Sequence, residues 1–172
     1  SRRRHTRYIS VTGVQTCALP IYAVPFVING MSPVQGVVLP GPRIYPARRA
    51  PAIYSRVRDL PEGSVLMELP LGQSDWDLRA VYYSTVHWRP LINGYSGFFP
   101  PNYGLLALAL KAAPSDPAVA TDALRGSGAT HVIVHESGYR EPEVSQIREW
   151  LSRSGSRVVS REGSDILYQL AR

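Results

Sequence analysis

The stretch Thr130-His131-Val132-Ile133-Val134-His135 decides the fold, because it is the clearest strand of the chain. Its β-branched residues favour an extended, buried backbone. Residues 116–126 before it and 141–153 after it have the apolar spacing of helices, with Asp116 as an N-cap and Gly126 as a C-cap of the first. A strand that lies between two helices is typical of the α/β class.

Further elements are predicted in both directions along the chain. Short apolar or alternating runs predict four more strands, at residues 65–69, 78–84, 157–161 and 165–170. Apolar residues at helical spacing predict two more helices, at residues 52–60 and 101–113. The last two strands are separated only by the turn Glu162-Gly163-Ser164. The pattern predicts an α/β layered sandwich with a mixed, mostly parallel sheet of about five strands and a C-terminal β-hairpin.

A segment rich in proline and glycine precedes the predicted sandwich. Between residues 31 and 51, five prolines fix the backbone and remove hydrogen-bond donors, which is typical of an extended linker. We therefore expect a linker over residues 22–51 and a single α/β domain over residues 52–172. The apolar run at residues 22–28 is too short to cross a bilayer. It is either the stub of a lost membrane span or a strand.

The first 21 residues resemble translated library DNA rather than evolved protein. Residues 11–21, Val-Thr-Gly-Val-Gln-Thr-Cys-Ala-Leu-Pro-Ile, resemble one reading frame of the end of a widely used short-read sequencing adapter. Residues 1–7 resemble the start of the same oligonucleotide, and residues 8–10 fill the place of its variable index. We therefore expect residues 1–21 to be an adapter-derived artefact that is disordered and packs against nothing.

The adapter-derived segment changes the charge of the chain. The full sequence has 19 basic and 13 acidic residues, but four of the arginines lie in residues 1–21. The formal net charge of +6 therefore falls to +2 without them, which is not the basic footprint of a nucleic-acid-binding protein. The only cysteine, Cys17, lies in the same segment, so residues 22–172 offer no disulfide, thiolate nucleophile or cysteine metal ligand. This composition suits a compartment outside the cytoplasm.

The motifs of the common enzyme classes do not occur in the sequence. It has no Walker loop, GxGxxG, HExxH or GxSxG motif. His131 and His135 are four residues apart, but on a strand this separation is about 13 Å, so their rings cannot share one metal ion. We therefore predict no catalytic residue, no metal site and no cofactor, and we expect the two histidines at the ends of a core strand.

Two carboxylates and an aromatic segment are the candidates for ligand binding. Asp75 and Asp77 flank Trp76, where they could do acid–base work beside a stacking ring or belong to an ordinary solvated turn. Residues 82–103 contain seven aromatic residues with polar residues between them. Such a mixture binds a sugar or a polar head group, and its alternative is a long loop anchored by its own aromatics. The candidate binding residues in this segment are His87, Trp88, Arg89, Asn93 and Tyr95.

A local run of arginines precedes the first predicted strand. Its members are Arg43, Arg48, Arg49, Arg56 and Arg58. Such a run is either a solvated face or a surface that contacts anionic lipid head groups.

Three parts of the chain resemble one family of bacterial membrane proteins. These parts are Leu60-Pro-Glu-Gly-Ser-Val-Leu-Met-Glu-Leu-Pro-Leu-Gly72, Tyr82-Tyr-Ser-Thr-Val-His-Trp-Arg-Pro-Leu-Ile-Asn-Gly-Tyr-Ser-Gly-Phe98 and Gly128-Ala-Thr-His-Val-Ile-Val-His135. In this order they resemble the C-terminal soluble region of polytopic glycosyltransferases of the dolichyl-phosphate-mannose protein mannosyltransferase type. In that family, membrane helices precede an extracytoplasmic α/β domain, and the catalytic carboxylate lies in an early loop of the membrane part.

The resemblance implies a non-catalytic, extracytoplasmic accessory domain of a truncated membrane glycosyltransferase that acts on lipid-linked sugars. It places the domain on the periplasmic or extracellular side of a bacterial inner membrane. Its implied partners are a lipid-linked sugar or membrane head groups and the protein's own missing transmembrane region, and no nucleic acid. Two alternatives stay open: a free-standing soluble α/β hydrolase or small-ligand-binding protein that uses Asp75, Asp77 and His87, and a purely structural domain.

Overall fold

The computed structural model describes residue 42 and residues 44–96 and 99–171 of the 172-residue chain. The chain divides into two units, residues 1–38 and 39–172, and the described residues belong to the second. The predictions for residues 1–21, and for the linker over residues 22–41 and 43, lie outside the described residues. The described end of the predicted linker contains a short 3-10 turn, Ala47–Arg49.

Helices and strands of the described residues form a mixed α/β domain, which confirms the predicted fold class. In chain order they are α1 (Ile53–Arg58), β1 (Leu66–Leu69), α2 (Ser74–His87), α3 (Pro101–Lys111), α4 (Pro117–Gly126), β2 (His131–His135), α5 (Glu143–Arg153), β3 (Arg157–Glu162) and β4 (Asp165–Gln169). Asp116 caps α4 as predicted, since its side chain accepts a hydrogen bond from the Val119 backbone N–H. Gly126 is the last residue of α4, and Ser127 takes the C-cap position.

The described sheet has four strands in the order β1-β2-β4-β3. Strand β1 runs parallel to β2, whereas β4 is antiparallel to both β2 and β3. The predicted C-terminal hairpin is thus confirmed as β3 and β4. The predictions of about five strands and of a mostly parallel sheet are wrong for the described residues. These form four strands, and only one of the three pairings is parallel.

The fifth predicted strand, at residues 78–84, is instead part of helix α2. Valine, threonine and tyrosine in this region favour a strand by intrinsic propensity. However, Trp76, Ala80 and Tyr83 are buried at helical spacing, so burial of one helix face outweighs that propensity. Asp75 and Asp77 lie in the first helical turn, where acidic side chains interact favourably with the helix dipole.

The sheet has helices on both faces, so the domain is a layered sandwich. On one face, Met67, Val132 and Ile166 pack in a cluster with buried residues of α3, α4 and α5. On the other face, alternate residues of the same strands pack with buried residues of α1 and α2; these strand residues are Leu66, Ile133 and Leu167. The alternation follows from the two-residue period of side chains along a strand. None of the helices within the described ranges is both long and apolar enough to cross a membrane.

Candidate functional site

The sheet face toward α1 and α2 carries a group of four buried charged side chains, which we call the charge cluster: Glu68, Arg79, His135 and Asp165. His135 lies at its centre, with Nε2 2.8 Å from Glu68 Oε2 and Nδ1 2.8 Å from Asp165 Oδ1. Arg79 reaches in from α2, 3.8 Å from the Glu68 carboxylate and 3.5 Å from that of Asp165. None of the four residues is more than 9% exposed, so the charge cluster is largely shielded from solvent.

Aromatic rings surround the charge cluster. Trp76 stacks on His135 with ring centroids 5.0 Å apart. The Arg79 guanidinium lies 5.2–5.6 Å from the ring centroids of Trp76, Tyr54 and Tyr83, within cation–π range. The Tyr54 hydroxyl donates to Glu68 Oε2 at 2.9 Å and accepts from Arg79 Nη1 at 2.8 Å. The rings exclude water, which strengthens the attraction between the charges.

Electrostatic compensation explains how these charges are tolerated. Burial by itself lowers the pKa of His135, but hydrogen bonds with Asp165 and Glu68 outweigh it and raise that pKa above its ordinary value. Burial raises the pKa of Asp165, but its hydrogen bond and charge interaction with His135, together with Arg79, lower that pKa overall. Two carboxylates therefore face one guanidinium and a histidine that favours its charged form. We interpret the charge cluster as scaffold.

A second polar site borders a cavity of about 480 Å³ at the carboxyl end of β1, which we call the β1 cavity. Its wall consists of Leu69 at the end of β1 and the following residues 70–74, together with Asp77 of α2, Phe99, several residues of α3, and Tyr139. Most of the lining side chains are aliphatic or aromatic. Its titratable lining residues are Asp77, Tyr103, Lys111 and Tyr139.

Asp77 is held by neutral donors. Its carboxylate accepts a hydrogen bond from Asn93 Nδ2 at 3.0 Å, and further ones from the Gly72 backbone N–H and the Tyr103 hydroxyl. Burial raises the pKa of Asp77 more than these hydrogen bonds lower it. Burial also raises the pKa of Tyr103, and the nearby Asp77 carboxylate adds to this effect. The cavity wall thus combines a carboxylate and a hydroxyl, and Asp77 forms no ion pair with another described residue.

Asn93 connects the β1 cavity to the charge cluster. Its side-chain amide accepts from the Glu68 backbone N–H at 2.7 Å and donates to the Glu68 carbonyl at 2.8 Å. Next to this contact, the Leu66 backbone N–H donates to the Pro90 carbonyl, and the Ile92 backbone N–H donates to the Leu66 carbonyl. Residues 90–93 therefore cover the outer edge of β1. The Asn93 side-chain amide therefore takes the place of a neighbouring strand's backbone at Glu68, and it also donates to Asp77.

An aromatic row lies at one side of the β1 cavity. Phe99 stacks on Tyr103 with ring centroids 5.3 Å apart. Tyr95 contacts Phe99 edge-on, with centroids 6.1 Å apart. Tyr95 and Phe99 both remain exposed. The row therefore exposes ring faces and edges beside the cavity.

The structure brings some of the predicted binding residues together and separates others. Asp77, Asn93 and Tyr95 surround the β1 cavity or its aromatic row. Asp75 is exposed and is not part of the cavity wall. Side chains two residues apart on a helix point in different directions, so Asp75 and Asp77 do not face one common site.

His87 and Arg89 are occupied by the fold. His87 is buried, stacks on Tyr54 at 6.0 Å, and its Nδ1 accepts from the Arg89 backbone N–H at 3.0 Å. Burial lowers the pKa of His87. The Arg89 guanidinium donates to the carbonyls of Arg58, at 2.8 Å, and Leu60. These contacts join the end of α2 to the end of α1.

The predicted loop over residues 82–103 is correspondingly shorter than expected. Residues 82–87 belong to α2 and residues 101–103 to α3. Trp88 directly follows α2 and is 82% exposed. Tyr83, in contrast, is buried in the core, so the aromatic residues of this segment do not form one surface.

Sequence reasoning missed the charge cluster. Its members come from β1, α2, β2 and β4, and the Glu68–His135 contact joins residues that are 67 positions apart. A signal was present in each strand. Glu68, His135 and Asp165 occupy the same strand face as apolar core residues two positions away, which marks them as buried polar groups that need partners.

In comparisons with known proteins, this chain matches no family model and no curated relative. Within the described ranges, no group of three or more His, Cys, Asp or Glu side chains has the arrangement of a metal site.

Proposed function

We propose that this chain is a non-catalytic, extracytoplasmic accessory domain of a membrane glycosyltransferase, and that its β1 cavity holds the sugar of a lipid-linked sugar. One observation carries the proposal. A carboxylate, a tyrosine hydroxyl and a row of aromatic rings converge on a cavity whose remaining wall is largely aliphatic. This combination suits the sugar class of ligand.

A sugar ring presents hydroxyls at its edge and C–H groups on its faces. The Asp77 carboxylate accepts hydrogen bonds from hydroxyls, and the Tyr103 hydroxyl both donates and accepts them. The rings of Phe99 and Tyr95 offer stacking area for the C–H faces. A cavity of about 480 Å³ lies within the usual range for small-molecule sites.

The position of the cavity supports the same proposal. In open α/β sheets, ligands bind beyond the carboxyl ends of the strands. The β1 cavity begins at Leu69, the last residue of β1, beside the parallel strand β2. Lys111 on the cavity wall offers a cation to the phosphate that links such a sugar to its lipid.

The hydrolase alternative lacks a comparable observation. It requires Asp75, Asp77 and His87 to act together, but Asp75 is exposed outside the cavity. His87 lies ten residues after Asp77 on the same helix, which is about 15 Å along the helix axis. We therefore expect the chain alone to bind without turning over its ligand.

A titration followed by amide NMR tests the proposal, with D-mannose and mannose 1-phosphate as probes. We expect shift changes concentrated at residues that line the β1 cavity. Tyr103→Phe keeps the ring and removes one hydrogen bond, so it should weaken binding about fivefold to tenfold. Ala107→Phe fills the cavity and should abolish binding.

Leu105→Phe is the matched control, because Leu105 points away from the cavity on the exposed side of the same helix. It should leave binding unchanged. The proposal is wrong if neither probe shifts resonances around the cavity, or if Ala107→Phe binds as well as the unaltered chain. Release of inorganic phosphate from mannose 1-phosphate by the chain would contradict a non-catalytic role.

A further inference from the structure

Helix α2 exposes an apolar surface on the side that faces away from the sheet. Leu78, Val81 and Tyr82 are all exposed, and their spacing of three and four residues places them on one helix face. Arg79 is the only residue with a fixed charge between Leu78 and Trp88, and it points into the charge cluster. We call the surface formed by Leu78, Val81, Tyr82 and Trp88 the α2 outer face.

Trp88 combines an unfavourable backbone conformation with an exposed side chain. Its backbone is left-handed, with φ 54°, at the position where helices usually end with glycine or asparagine. A bulky side chain in this conformation is an outlier that costs free energy. Because the ring is 82% exposed, little packing offsets that cost. This position therefore points to a role outside the fold.

The segment before α1 extends the same surface. The Tyr45 backbone N–H donates to the Tyr83 hydroxyl at 2.7 Å, and the Ala47 backbone N–H donates to the Tyr82 hydroxyl at 3.0 Å. These bonds hold the exposed side chain of Tyr45 beside the α2 outer face. Arg48 and Arg49, both exposed, follow directly, and neither forms an ion pair with a carboxylate of the described residues.

We propose that the α2 outer face binds the surface of a lipid bilayer that contains anionic lipids. Tryptophan and tyrosine prefer the boundary between head groups and acyl chains, where Trp88 and Tyr82 would lie. Leu78 and Val81 insert below that boundary, and Arg48 and Arg49 pair with lipid phosphates. Charge complementarity with the arginines therefore selects anionic lipid over a neutral surface.

This inference is independent of the sugar proposal. The β1 cavity and the α2 outer face share no residue, since the cavity includes Asp77 and the face begins at Leu78. It also extends the interpretation of the arginine run, because Arg48 and Arg49 lie beside exposed aromatics, whereas Arg56 and Arg58 pair with Glu162 and Asp59.

Vesicle binding by the full 172-residue chain tests the inference. Trp76 and Trp150 are 8% and 3% exposed, so a change in tryptophan emission reports mainly on Trp88. With vesicles of phosphatidylcholine and phosphatidylglycerol, we expect a blue shift and co-sedimentation. Arg48→Glu with Arg49→Glu should weaken binding about tenfold or more, because each basic residue near such a surface adds about 1 kcal/mol.

The apolar part of the surface needs its own variant and a matched control. Leu78→Ser with Val81→Ser should weaken vesicle binding at least as strongly as the arginine variant. Leu105→Ser with Leu108→Ser removes two apolar side chains that are still more exposed, from α3 on the opposite face of the sheet, and should leave binding unchanged. Replacing the four arginines of residues 1–21 with serine should also preserve the blue shift.

Several outcomes would overturn the inference. They are no binding to anionic vesicles, equal binding to vesicles of phosphatidylcholine alone, and equal losses in the α2 and α3 variants. A dimer of the chain that Leu78→Ser with Val81→Ser dissociates, without vesicle binding by the unaltered chain, would identify a second copy as the occupant instead. None of these outcomes bears on the sugar titration, so the two proposals fail separately.

Discussion

The charge cluster and the polar wall of the β1 cavity contain similar groups, but their buried carboxylates are compensated differently. Each pairs a buried carboxylate with a tyrosine hydroxyl, Glu68 with Tyr54 and Asp77 with Tyr103. In the charge cluster, an arginine and a histidine compensate the carboxylates, and aromatic rings close the site. At the cavity, the donors to Asp77 are neutral and open space lies beside it. Compensation by cations thus distinguishes the charge cluster from Asp77, whose carboxylate is held by neutral donors.

Removing the cation of the charge cluster should have the largest effect on stability. Arg79→Met leaves two buried carboxylates with only His135 to compensate them, and breaking a buried ion pair in this way costs about 3–5 kcal/mol. We expect this loss in the free energy of unfolding measured with urea.

The surface pair of Arg56 and Glu162 provides the control, since its N–O distance is similar, 3.9 Å, but both side chains are substantially exposed. Arg56→Met should cost about 0–1 kcal/mol. If the two substitutions cost the same, the charge cluster does not support the fold and the comparison with the cavity fails.

Asn93→Ala should have the next largest effect, because this amide joins the two polar sites. The substitution leaves the Glu68 backbone N–H and carbonyl, and one Asp77 oxygen, without their partner. We expect a loss of about 1–3 kcal/mol in the free energy of unfolding. Truncation of an exposed amide, Asn102→Ala, should change it by less than about 0.5 kcal/mol. A similar small effect for Asn93→Ala would mean that water replaces the amide.

The sequence predicted elements whose signals are local. Strand β2, the hairpin and the helices α3, α4 and α5 each show their pattern within one short window, and Asp116 identifies its own cap. Helix α2 was mistaken for a strand because its local propensity and its tertiary burial disagree. The candidate site followed the same rule. Asp77 and Asn93 stood out as polar residues in an apolar or aromatic setting, but their meeting at one cavity depends on long-range packing.

The charge cluster should also make stability depend on pH. The pKa of His135 is raised in the folded state, so the folded state binds this proton more tightly than the unfolded state. The stability that His135 contributes is therefore fully present below its unfolded pKa, about 6.5, and is lost as pH rises through its folded pKa. We expect the difference in free energy of unfolding between the unaltered chain and His135→Gln to shrink over that range.

The pKa of His87 is shifted in the opposite direction to that of His135, so a His87 variant is the control for this measurement. The pKa of His87 is lowered by burial, so its contribution is lost as pH falls from its unfolded pKa through its folded one. The variant His87→Phe should therefore flatten the acidic side of the stability profile while the loss at higher pH persists. If His135→Gln leaves the profile of the unaltered chain unchanged, the imidazole carries no proton in the charge cluster.

The smallest expected effect concerns Trp88, which directly follows α2 and belongs to neither polar site. Its left-handed backbone costs about 1–2 kcal/mol for an L-residue, and glycine avoids that cost but loses about 0.5–1 kcal/mol of chain entropy on folding. Trp88→Gly should therefore unfold with a free energy about 0.5 kcal/mol higher than the unaltered chain. Trp88→Ala removes the same ring but keeps the strain, so thermal unfolding should rank the glycine variant above it. If the alanine variant is the more stable of the two, the backbone at Trp88 is not strained. The exposed ring would then be the only observation that sets this residue apart.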